Sequence, residues 1–144
     1  MSPTTDALTV AADAENAAIF TYGTITAFAP AARQKTVAEY TTEHRARRNA
    51  LDQALRVANT PVPQPAAGYT LPVTVTSPTT AAQAAQAAEI DCATAYRALI
   101  EQGDSEAVRR LGLDGLTDCA RREATWRAAL GLAPTTVAFP GAPR

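Results

Sequence analysis

The sequence predicts an all-α chain folded as a bundle of four helices. Three observations predict it. Apolar and small residues recur at three- and four-residue spacing over four segments. Alanine, the strongest helix former, dominates the apolar fraction. Prolines fall between those segments or at their edges. The chain has 144 residues, which suits a single domain, residues 1–144. Hydrophobic residues make up 47% and charged residues 19%, a balance that supports a packed core and argues against wholesale disorder.

The first helix is expected over roughly 5–28, with Leu8, Ala12, Ile19, Tyr22 and Ile25 on its buried stripe. Pro30 ends it or opens the next. The second is expected over 31–58, with Val37, Tyr40, Leu51 and Leu55 inward and a charged centre, Glu43-His44-Arg45-Ala46-Arg47-Arg48. Residues 59–78 hold five prolines and read as a crossover. Within it Leu71, Val73 and Val75 alternate with polar or proline positions, but an isolated strand has no partner, so they read as side chains pinned to the bundle. The third helix covers 79–102. A Gly103-Asp104-Ser105 turn supplies Asp104 or Ser105 as cap for the fourth, 105–130, which Gly112 and Gly115 weaken. The tail, 131–144, is irregular, with Val137 and Phe139 as candidates to dock it.

Two tight hairpins joined by a long linker restrict the topology. An up-down-up-down bundle needs only a few residues at its central connection, whereas a linker spanning up to ~3.3 Å per residue can run the bundle's length. That crossover is the topology of ferritin-like folds. Such folds place a metal site mid-bundle, formed by a Glu from each of two helices and a Glu-x-x-His from each of the others.

Four polar residues lie on the apolar stripes. Glu15 is seven residues from Leu8 and Tyr22, and His44 seven from Val37 and Leu51. Glu89 is seven from Ala82 and Tyr96, and Glu123 seven from Leu116 and Leu130. Seven residues is two turns, so all four point inward. Glu15 and His44 are equidistant from the turn at Pro30. Glu89 and Glu123 are centred on the second turn, as are Cys92 and Cys119. Glu15, His44, Glu89 and Glu123 are therefore the candidate metal ligands, suited to Fe, Mn or Zn. The ligand pattern is incomplete: Thr41 stands where a Glu would precede His44, and Trp126 where a His would follow Glu123. Two of the six positions are lost, so a vestigial polar cluster without metal is the preferred reading. A hydrogen bond from His44 to Glu15 is the expected role of the one histidine.

At these residues the chain resembles the actinobacterial ferritin-like domain of unknown function. The resemblance is carried by Ala14-Glu15-Asn16-Ala17-Ala18 through Tyr22-Gly23, by His44-Arg45-Ala46-Arg47-Arg48-Asn49-Ala50-Leu51, by Ala95-Tyr96-Arg97-Ala98-Leu99, and by Trp126-Arg127 with Phe139-Pro140-Gly141. It extends over nearly the whole chain. It implies a four-helix ferritin-like bundle and brings no activity, cofactor or substrate. Asn16 departs from the histidine expected after the Glu.

The net charge of −1 argues against a dedicated nucleic-acid binder. No run of ~20 apolar residues exists, which argues against a membrane span. Without a basic, apolar leader, a cytoplasmic location is the expectation. Two cysteines without a CxxC exclude a zinc ribbon. They leave open a disulfide or, as reducing conditions favour, buried thiols. Arg45, Arg47 and Arg48 read as a solvated face paired with Glu43 and Asp52. Two functions are carried forward. The preferred one is a non-catalytic protein with a degenerate metal site, acting by interaction, homodimerisation or small-ligand binding. The alternative is an Fe- or Mn-dependent oxidoreductase or iron-binding protein.

Overall fold

The computed structural model describes residues 2–143. Four long helices form the bundle: α1 (Pro3–Ile25), α2 (Gln34–Val57), α3 (Pro78–Gln102) and α4 (Glu106–Ala129). No strand occurs among the described residues.

Local chemistry explains each boundary. α1 starts at Pro3, two residues before the expected start, because Ser2 and Thr5 form a reciprocal capping box. Ser77 and Thr80 repeat that device before Pro78, and Ser105 accepts from the Val108 amide at the head of α4. α1 stops at Ile25, short of Phe28. The Gln34 side-chain amide donates to the carbonyls of Thr26 and Ala29 in the turn that follows α1. A single 3₁₀ turn, Ala31–Arg33, then precedes α2. α2 and α4 close alike, with Asn59 and Gly131 at positive φ and the next amide bonding back to Leu55 and Arg127.

Residues 58–77 carry the chain from the end of α2 back along the bundle to the start of α3. Thr4 on α1 donates to the carbonyl of Gln102 at the end of α3, so those two helices run antiparallel. The crossover is stitched down by Val62 against one apolar cluster and by Val73 and Val75 against another. Tyr69 adds a tilted ring contact with Phe20 at 5.6 Å.

The core is two apolar clusters, one at each end. Leu8, Leu51, Leu55 and Leu99 mark the first; Ile25, Val37, Trp126 and a run of α3 alanines mark the second. Small residues on α1 and α3, among them Ala11, Ala12, Ala84 and Ala85, are fully enclosed. They allow close helix approach without polar atoms.

Gly112 and Gly115 are contact positions on α4. A Cβ on Gly115 would lie 2.3 Å from the Tyr96 ring, and one on Gly112 2.7 Å from the Ile100 side chain. α4 is thereby drawn onto α3 in its first half. The tail docks through Gly141, where a Cβ would come 2.5 Å from the Ala93 carbonyl. Phe139, expected to help dock it, is exposed: it lies beside the close backbone contact and does not enter it.

Gly115→Ala is expected to lower unfolding free energy by about 2 kcal/mol, because overpacking outweighs the gain in helix propensity. Gly23, inside α1 and open on all sides, reverses the sign: Gly23→Ala should stabilise by roughly 0.5–1 kcal/mol. Urea denaturation of the two variants measures both.

Candidate functional site

A polar layer separates the two apolar clusters, and His44 is its centre. The imidazole is fully buried, and each ring nitrogen meets a carboxylate. Nδ1 lies 2.5 Å from Glu15 Oε2, and Nε2 lies 2.8 Å from Glu89 Oε2. The remaining carboxylate oxygens are also occupied. Tyr96 donates its hydroxyl to Glu15 Oε1 at 2.6 Å. Arg122 donates from Nε to Glu89 Oε1 at 2.9 Å, and Tyr22 donates to Glu89 Oε2 at 2.5 Å. Trp126 closes the chain by donating to the Tyr22 oxygen at 2.9 Å. Residues from all four helices take part.

With both carboxyls ionised, both ring nitrogens donate and His44 is an imidazolium. Burial alone would oppose that charge. The negative charge of Glu89 and the hydrogen bonds to Glu15 and Glu89 overcome it and push His44 up to about 10. Burial likewise opposes ionisation of Glu89, but His44 and Arg122 hold its carboxyl below the ordinary range. Burial and the adjacent carboxylates raise Tyr22 and Tyr96 well above the usual phenol value, so both stay neutral donors. Two carboxylates, Glu15 and Glu89, thus face two cations, His44 and Arg122.

Three of the sequence-derived candidates, Glu15, His44 and Glu89, are brought into direct contact. Glu123 is buried on α4, but the α4 side chain that reaches Glu89 is its neighbour Arg122. Arg122 is not among the residues that the sequence marks as ligands. Its signal is present: Gly115, Cys119, Arg122 and Trp126 recur at four, three and four residues, an unbroken inward stripe. The doublet Arg121-Arg122 resembles a solvated face, and only Arg121 is solvated. Tyr22 and Tyr96 read as core volume, while their hydroxyls serve the carboxylates.

The arginine run on α2 pairs differently from expectation. Arg47 reaches across to Asp118 at 2.7 Å, and Glu43 binds Arg122 at 2.8 Å. Asp52 forms no ion pair with them among the described residues, and Arg47 takes its partner from α4. Cys92 and Cys119 are free, buried thiols. Their mutual hydrogen bond and burial raise the Cys92 thiol well above its ordinary value. Glu15, His44 and Cys92 each bring one potential ligand atom within 4.8 Å of the others.

Where α4 is drawn onto α3, it leaves α2. An apolar cleft of about 530 Å³ opens there, walled by Leu8, Ala54, Val57, Val108 and Leu111. No described helix is long and apolar enough to cross a membrane.

Residues 7–144 match the family described as a domain of unknown function, DUF4439. The chain belongs to that family. Among solved structures it is similar to a conserved hypothetical protein, rv2844, from Mycobacterium tuberculosis, at 34% identity and a TM-score of 0.87. That match covers 89% of this chain and 97% of the other. No curated protein matches.

The pH dependence of this DUF4439 chain follows from the layer. His44 is raised from 6.5 to about 10, so its stabilising charge is complete below pH 6.5 and is lost as pH rises through 10. Glu89 is lowered, so its contribution is present above the ordinary carboxyl range and lost as pH falls through the depressed value. Between pH 7 and 10 the unfolding free energy is expected to drop on the order of 3–4 kcal/mol. His44→Gln should remove that slope, as denaturant midpoints across pH would record. Arg122→Met should cost about 3–5 kcal/mol at pH 7, because it leaves Glu89 short of a buried partner.

Proposed function

We propose that this protein is a non-catalytic, ferritin-like bundle whose metal site is degenerate, and that it acts by binding a small ligand or a partner. The observation that carries the reading is the occupancy of His44. An imidazolium has no lone pair for a metal, and both its nitrogens face carboxylate oxygens. Arg122 adds a permanent cation on Glu89, where a metal's charge would otherwise sit. The ion pairs thus neutralise the carboxylates without a metal, and the donor set does not fit one. Trp126 occupies a place where the ferritin pattern has a histidine, and it hydrogen-bonds Tyr22. The apolar cleft supports the binding part of the proposal, since its volume falls in the range of small-ligand pockets. Two buried free thiols support a reducing, cytoplasmic setting. Homodimerisation belongs to the same proposal and is read by sizing at two concentrations.

One observation favours the alternative of an Fe- or Mn-binding protein using Glu15, His44, Glu89 and Glu123. The Glu15, His44 and Cys92 ligand atoms converge within 4.8 Å. Binding there would first have to remove the His44 proton, and a thiolate ligand would cost a second one. Protein purified without chelator and reconstituted with Fe(II), Mn(II) or Zn(II) separates the two. The wild type is expected to hold no more metal by mass spectrometry than a His44→Ala, Glu89→Ala double variant. Stoichiometric metal in the wild type alone would falsify the degenerate-site reading.

A further inference from the structure

A second polar site lies where α1 and α2 meet the crossover. Asn16 is only 3% exposed, yet neither its Oδ1 nor its Nδ2 has a hydrogen-bond partner among the described residues. Asp52 likewise keeps a buried, unpartnered Oδ1. Buried polar atoms are normally satisfied, and each exception calls for an explanation. Both residues line one cavity of about 220 Å³, together with Arg48, Arg56 and the crossover residues Val62 and Pro63. Neither guanidinium forms an ion pair among the described residues. Arg48 makes only long contacts with the neighbouring Asn49, at 3.2 and 3.4 Å.

We propose that this cavity binds a small α-amino acid in its zwitterionic form. The unmet groups define the ligand. Two buried acceptors, Asp52 Oδ1 and Asn16 Oδ1, call for a donor-rich cation, which an ammonium supplies. The Asn16 Nδ2 donors and the two guanidiniums call for a carboxylate, which Arg binds through paired N–H groups. An anion alone leaves Asp52 unsatisfied, and an amine alone leaves the Asn16 Nδ2 donors unsatisfied. A space of this size accommodates a small amino acid and is partly open to solvent. Val62 and Pro63 give that side chain an apolar wall. The inference rests on the ligand-binding part of the function proposed above and is independent of its metal part.

The test is titration of the full ¹⁵N-labelled chain with glycine, L-alanine and L-serine, with acetate and methylamine as probes carrying one charge each. Saturable shifts of the Asn16 side-chain amide are expected with the zwitterions. Acetate and methylamine should bind about tenfold more weakly or worse, and Asp52→Asn should weaken the zwitterions by about tenfold. Arg56, exposed on α2, supplies a second variant that does not touch the core: Arg56→Ala should weaken binding similarly. The proposal is overturned if no zwitterion gives saturable shifts at about 50 mM. It is equally overturned if acetate binds as tightly and neither variant matters. Either failure would leave the metal measurement, made without amino acid, unaffected, so the two readings fall separately.

Discussion

Two carboxylates with no access to water need opposite charge close by, and the bundle is arranged around that need. Glu15 and Glu89 are fully buried, and removing an ionised carboxylate from water costs several kcal/mol unless pairing offsets it. His44 offsets both at once by standing between them, and Arg122 completes Glu89. Because the four charges arrive from four helices, a one-turn slip of any helix would strand at least one of them. A layer of this kind adds less to stability than an apolar one of equal volume, but it penalises wrong registers strongly.

The rest of the architecture accommodates the layer. Apolar clusters above and below it exclude water, which strengthens the ion pairs and raises the cost of leaving any member unpaired. Tyr22 and Tyr96 absorb the remaining carboxylate lone pairs, so the satisfaction of Glu15 and Glu89 depends on two phenols as well as two cations. Tyr96 must lie flat against α4 to reach Glu15, and Gly115 supplies the missing Cβ that lets it. The apolar cleft lies between the start of α4 and the end of α2.

Family membership and the match to the mycobacterial structure place this chain within an all-α family without attaching an activity to it. The proposed function accordingly rests on side-chain chemistry. A protonated, doubly hydrogen-bonded histidine and a buried arginine occupy the middle of the bundle. Asn16 and Asp52, beside the crossover, keep unmet hydrogen-bonding groups among the described residues.

The sequence by itself determined the helix count, the proline-rich crossover and the inward faces, because periodicity and breakers act locally. It also placed Glu15 level with His44, since equal distance from a hairpin turn is a one-dimensional property. Helix ends were less legible: α1 stops at Ile25, and Gln34, on the next helix, binds the carbonyls of the turn beyond it. Only the tertiary structure decided which charges neutralise Glu15 and Glu89. Arg122 and Glu123 are consecutive and both buried, and no local rule says which extends to a carboxylate on another helix. That choice depends on how closely α4 lies against α3 and on the field of groups distant in the chain. Desolvation and pairing are properties of the assembled interior.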